Sequence, residues 1–180
     1  RAVMVGTFYP QLAPQQIGVC PYVTSRHNTD VQVRALSNER FNVCCLNAPF
    51  VLGHIEGLNV PYIDALAAYV RGNIPGLPLF APQGGTNHIS SRSLAQAALN
   101  ALEKGESGKG YLIGDQNYSW KEYLELWLQA VGDPIELEVR GDDHPMFPNV
   151  IMFAGAGATI SYEPDAADMA VLAYERQQIP

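Results

Sequence analysis

At 180 residues, with 47% hydrophobic and 16% charged side chains, the chain is long enough to bury one sizeable core or a core and a half. Its formal net charge of −7 and its lack of any Lys/Arg run argue against nucleic acid or an anionic membrane surface as the main partner, since both need clustered cations. No apolar run approaches the ~20 residues of a membrane span, and no signal peptide is expected.

Residues 2–7 (AVMVGT) are a short apolar run ending in small residues, which predicts a buried parallel strand. The chain thus opens on Arg1 already inside a strand, setting the expectation of a fragment. Pro14 to Pro21 reads as loop, and Pro21 then starts a helix over Tyr22 to about Leu36. Residues 42–47 (NVCCLN) predict a second buried strand, followed by a turn from Ala48 to Gly53. A helix is expected over 60–71, with Ile63, Leu66, Ala67 and Val70 on one face. Ser91 or Ser93 caps the next, which runs to about Lys104 and ends at Gly105 and Gly108. Residues 111–113 predict a strand. Ser119 and Glu122 match a capping box, with Trp120, Tyr123, Leu124, Trp127 and Val131 following at helical spacing as core. Residues 135–139 (IELEV) alternate like a half-buried strand, and Pro164 begins a last helix to about Arg176.

Strands alternating with helices imply an α/β architecture with a parallel sheet. Of the three cysteines, Cys44 and Cys45 are adjacent on a predicted strand and Cys20 stands apart. None has a C-x-x-C partner or a His at metal spacing. Neither a disulfide framework nor a zinc site is expected, and a reducing cytoplasm is the expected compartment. His27, His54, His88 and His144 read as surface or hydrogen-bonded residues, not metal ligands.

Chemistry concentrates in Pro21-Tyr22-Val23-Thr24-Ser25-Arg26. On a helix Tyr22 and Arg26 stand at i and i+4 and share a face. A cation held beside a phenol favours the phenolate; at ~4 Å and an effective dielectric of ~20 the interaction is worth about 4 kcal/mol. Such a tyrosine can pass a proton to or from an alcohol or carbonyl. Thr7 ends a strand at the carboxyl edge, where α/β sheets place ligands.

The segment from Tyr22 to Arg26 resembles the Tyr-x-x-x-Lys motif of the short-chain dehydrogenases/reductases, in the extended (NAD-dependent epimerase/dehydratase) form P-Y-x-x-S-K, with Ser25 also matching. Thr7 in Val5-Gly6-Thr7-Phe8-Tyr9 falls where that family carries a catalytic Ser/Thr. Leu46 to Gly53 resembles its L-R-P-x-x-V-x-G turn, which lies against the nicotinamide. Asn87 to Ala95 resembles its D-F-I-H-V-D-D-L-A segment, and Tyr111 to Gly114 with Ser119 to Glu122 resembles Y-N-I-G…S-W-x-E. The segments follow the family's order. Arg26 stands where the family has Lys, Asn47 and Ala48 where it has Arg-Pro, and Ser90, Ser91 and Ser93 where it has His, Val and Asp.

The resemblance implies a partial Rossmann-like parallel sheet plus a smaller α/β substrate-binding region. Residues 1–58 would be the carboxy-terminal part of the catalytic domain, and 59–180 the substrate region interleaved with remaining sheet elements. It implies NAD or NADP as cofactor and a small alcohol, ketone or sugar-nucleotide substrate; a homodimer is a further expectation. Thr7, Tyr22 and Arg26 would be catalytic. Tyr22, Arg26, Pro49 and Val51 would meet the cofactor, and Phe8, Tyr9 and Asn47 the substrate; no metal is implied. The loop from Gly53 to Tyr62 and the segments after Pro134 would close over the substrate. Those segments are apolar and lack an Arg pair to clamp a diphosphate, which favours a ketone or alcohol over a nucleotide sugar. The family's glycine-rich turn is absent: Gly155 and Gly157 are followed by Ile160 where the third glycine belongs. The nucleotide-binding half would then lie upstream, and the isolated chain would bind NAD(P) weakly or not at all. The alternative is a non-catalytic member of the same fold that senses a dinucleotide or binds a partner.

Overall fold

A computed structural model describes residues 1–53, 57 and 60–179. In chain order the elements are β1 (Ala2–Thr7), α1 (Tyr9–Leu12), α2 (Pro21–Arg34), β2 (Val43–Ala48), β3 (Phe50–Leu52), α3 (Pro61–Val70), β4 (Ala81–Pro82), β5 (Gly85–Ser90), α4 (Ser91–Lys104), β6 (Gly110–Leu112), β7 (Gln116–Ser119), α5 (Trp120–Ala130), β8 (Val139–Arg140), β9 (Thr159–Ile160) and α6 (Ala166–Leu172). They form two compact units, and the chain passes between them more than once, within β5 and within β7 among other places.

The first unit comprises Arg1–Gly53, Asn87–Gln116 and Tyr162–Ile179. Its parallel sheet has the order β1-β2-β6, so the α/β class with parallel pairing holds. All six residues of β2 are buried because it has a strand on each side and a helix on each face. Cys44, Leu46 and Ala48 pack with Ala97 and Ala101 of α4, whereas Cys45 and Asn47 turn to Asp30 on α2. All three cysteines are free thiols. Pro49 has no N–H to continue the ladder. The expected turn at 48–53 instead holds β3, which pairs in parallel with His88–Ser90.

The second unit comprises His54–Thr86 and Asn117–Ser161, with β4 parallel to β8 and β9 parallel to the start of β5. The capping box at Ser119 and Glu122 forms as read, and Trp120, Tyr123, Leu124 and Leu128 of α5 are buried. The strand expected over 135–139 shrinks to Val139–Arg140. Leu137 is buried, but its N–H goes to Glu125 Oε1 at 2.9 Å and not to a neighbouring strand. The cap of α4 is Ser90, whose hydroxyl accepts from the Ser93 N–H. The last helix is shorter than expected: Asp165 caps it, and Ala173 ends it in a left-handed conformation (φ 41°).

His144 is the polar hub of this second core. Its Nδ1 accepts from the Met146 and Phe147 N–H groups at 3.1 and 3.2 Å, so the proton lies on Nε2 and is donated to Phe80 O at 2.9 Å. Burial holds the ring below its ordinary value of 6.5. An unfolded imidazole binds a proton more readily, so this contribution is complete above the ordinary value and is lost as pH falls through the depressed one. The melting temperature of the protein is therefore expected to fall as pH drops below about 6.5. His144→Gln should flatten that slope, and equal slopes for the two proteins would show that His144 is not its source.

Candidate active site

The carboxyl edge of the first sheet is marked by Thr7 and Ala48, which lie in register. The Phe8 N–H continues the ladder for one more bond, to Ala48 O at 3.1 Å. That bond turns the Phe8 side chain inward, where it is 4% exposed. Behind it the Tyr9 ring lies 4.4 Å from Phe8 and meets Tyr22 edge-on at 6.3 Å and 85°. Tyr162 flanks Phe8 at 6.2 Å, and its hydroxyl donates to Ile113 O at 2.7 Å. Burial first, then the neighbouring Tyr22 and Cys20, push the Tyr9 phenol up to about 12, so it stays neutral at physiological pH.

The entry to α2 is fixed by local bonds. Gly18, in a left-handed conformation (φ 83°) natural to glycine, donates its N–H to Thr24 Oγ1 at 2.8 Å. The same hydroxyl donates to Cys20 O at 2.8 Å, and Pro21 occupies the first helical turn. Tyr22 follows, half-buried, with the Arg26 guanidinium 5.1 Å from its ring centroid. The expected i, i+4 juxtaposition is therefore present. It takes the form of a cation over the ring face, with Arg26 itself exposed.

The other residues expected at the site are placed differently. Asn47 is 2% exposed and donates its amide to Asp30 Oδ1 at 3.3 Å, which makes it a strut between β2 and α2. Pro49 lies between β2 and β3, and Val51 on β3 is 40% exposed. The expected closing loop includes residues 54–56 and 58–59, which lie outside the described residues, as does His54. Of the later segments expected to face substrate, Phe147 is buried in the second core, 4.7 Å from Trp120, whereas Val150 is 80% exposed. An open hollow lined by Gly18, Val19, Pro21, Thr24, Ser25 and Asn28 flanks α2 without Tyr22 or Arg26, and holds no titratable side chain. Among the described residues no group of His, Cys, Asp and Glu could hold a metal ion, and no helix is long and apolar enough to cross a membrane.

Sequence reading passed over Asp30, Arg34 and Tyr162. The first two were within reach: Tyr22, Arg26, Asp30 and Arg34 recur every four residues on one helix. No sequence signal marks Tyr162, whose partner Ile113 is 49 positions away.

No protein-family model and no curated protein matches the sequence. Solved structures do. A UDP-N-acetylglucosamine 4-epimerase from Methanobrevibacter ruminantium, in complex with UDP-N-acetylmuramic acid, matches at a TM-score of 0.68 and 10% identity over 98% of this chain and 57% of that one. A dTDP-glucose 4,6-dehydratase from Bacillus anthracis, in complex with NAD, matches at 0.66 and 15% identity over 97% and 56%. A UDP-glucose 4-epimerase from Thermotoga maritima, with UDP-glucose, matches at 0.60 and 15% identity over 87% and 48%. The chain spans about half the length of these structures. By its parallel sheets and their crossings, it has a Rossmann-like α/β fold, similar over most of its length to structures of the NAD-dependent epimerase/dehydratase type.

Proposed function

We propose that this chain is the carboxy-terminal, catalytic and substrate-binding part of an NAD(P)-dependent oxidoreductase or epimerase acting on a secondary alcohol or ketone. The observation that carries the reading is the Tyr22–Arg26 pair at 5.1 Å, on the first turns of the helix that follows Thr7 at the carboxyl edge. Tyr22 is the general acid/base, passing a proton to or from the substrate oxygen. Thr7 holds that oxygen by its hydroxyl, and Arg26 places a positive charge beside the phenol ring.

The residues present fit the nicotinamide end of a dinucleotide. An exposed cation beside a half-buried phenol suits a ribose hydroxyl pair, and Pro49 and Val51 supply a small apolar border beyond β2. When bound, the nicotinamide supplies hydride transfer to or from the substrate carbon. Tyr9 contributes a neutral aromatic wall. Phe8 and Asn47 are buried and support the site from behind.

The second reading, a non-catalytic dinucleotide sensor, draws on Arg26. A guanidinium engaged with a ring face and unable to give up its proton is not equivalent to a compact ammonium. One assay separates the two: NADH or NADPH oxidation by the complete protein over a panel of ketones, aldehydes and 4-keto nucleotide sugars. Turnover that disappears in Tyr22→Phe is expected. Turnover indifferent to that change would defeat the catalytic reading, and bound cofactor without turnover on any member would favour the sensor.

A further inference from the structure

Below the phenol, α2 carries alternating charge on one face: Arg26, then Asp30, then Arg34, one turn apart. Asp30 sits between two arginines and could pair with either. The structure commits it to the lower one. Arg34 Nη2 lies 2.7 Å and Nε 2.9 Å from Asp30 Oδ2. The other oxygen, Oδ1, accepts the Asn47 amide at 3.3 Å. The Cys45 thiol bonds to Asp30 as a donor, because burial first and the Asp30 charge second push it up to about 12. Arg34 is held in turn by Gly108 O at 3.2 Å. The carboxylate is thus aimed at the sheet and the lower turn, and the Arg26 guanidinium lies over Tyr22 instead.

We propose that Arg34 is a positioning residue for Tyr22: by holding Asp30, it keeps Arg26 on the phenol ring. The physical reason is competition. At one turn's separation, a carboxylate freed of its partner offers Arg26 a charge-assisted hydrogen bond, which is stronger than a solvent-exposed cation–π contact. Removing Arg34 should therefore draw Arg26 down the helix and leave the ring uncovered. Its meaning for catalysis rests on Tyr22 being the proton carrier. The arrangement itself does not, so a failed turnover assay leaves it standing.

The test reads the ring directly in this chain, labelled with ¹³Cζ-tyrosine. Loss of one resonance in Tyr22→Phe assigns the signal, and Arg26→Met gives its position without the guanidinium. Arg34→Met is expected to move the Tyr22 signal most of the way to the Arg26→Met position. Arg34→Lys should leave it near wild type, and Asp30→Asn combined with Arg34→Met should return it there, since the competing carboxylate is gone. Arg34→Met with an unmoved signal overturns the inference, as does a double variant that stays displaced or an Arg26→Met signal equal to wild type. Should Arg34→Met not fold, Asp30→Asn alone serves. It should keep the wild-type position, and a displacement as large as that of Arg26→Met overturns the inference.

Discussion

Tyr22→Phe in the complete protein is expected to lower kcat by about 10²–10⁴, the range of a positioned general acid/base. The substitution keeps the ring, and with it the contacts to Tyr9 and Arg26, while deleting the hydroxyl. The fold should therefore change little. Arg26→Met is expected to cost less. A unit charge at ~5 Å in an effective dielectric of ~20 would be worth about 3 kcal/mol. Arg26 is exposed and its field reaches the phenol partly through water, so roughly 1–2 kcal/mol, or about five- to thirtyfold, is the better expectation. Arg26→Lys keeps the charge and should stay within a few-fold of wild type. The double variant should lose little beyond Tyr22→Phe, because the cation acts through the hydroxyl already removed. Initial rates of NAD(P)H oxidation between pH 5 and 9 decide it. An Arg26→Met loss matching that of Tyr22→Phe would mean that the guanidinium acts on the reacting atoms of the substrate itself.

This pair was legible from sequence because its geometry is local: a helix start at Pro21 and a four-residue spacing fix it. The same holds for the Ser119–Glu122 box and for β2, whose unbroken apolar run follows from cover on both faces. Where geometry is made by distant partners, the sequence says little. Gly85–Ser90 (GTNHIS) is mostly polar, yet every residue is buried. Asn87 accepts from Asp115 N, 28 positions away, at 2.9 Å, and Ser90 meets Ser93 at 2.7 Å, so these two side chains find their partners inside. The family resemblance implies that Asn47 faces substrate; its partner Asp30, 17 residues away, takes it inward. Alternation in Ile135–Val139 mimics a strand because Glu125 supplies the backbone partner that a strand otherwise would.

Asp115→Ala is expected to produce the largest loss of stability in the first unit, about 3 kcal/mol, the lower end for breaking a buried charge pair. The Asp115 side chain is fully enclosed. Its Oδ1 accepts from Gln177 N at 2.8 Å and Arg176 Nε at 3.3 Å, and its Oδ2 from Gln178 N at 3.4 Å. The lower end applies because Arg176 is 36% exposed and also pairs with Glu163 at 2.9 Å, so it is not stranded when Asp115 is lost. The backbone N–H groups of Gln177 and Gln178 do lose their acceptor. The tail also carries left-handed strain at Ala173 and Gln177 (φ 41° and 58°), about 1 kcal/mol or more each, which these bonds must offset. At roughly 2–4 °C per kcal/mol, the melting temperature should drop by about 6–12 °C. Asp115→Asn retains an acceptor for Gln177 N and should lose less than half as much. Limited proteolysis adds the local reading: cleavage after Tyr174 or Arg176 should speed up in Asp115→Ala before global unfolding sets in. Cleavage as slow as in wild type, with an unchanged melting temperature, would mean that the apolar contacts of Leu172 and Tyr174 hold the tail without the carboxylate.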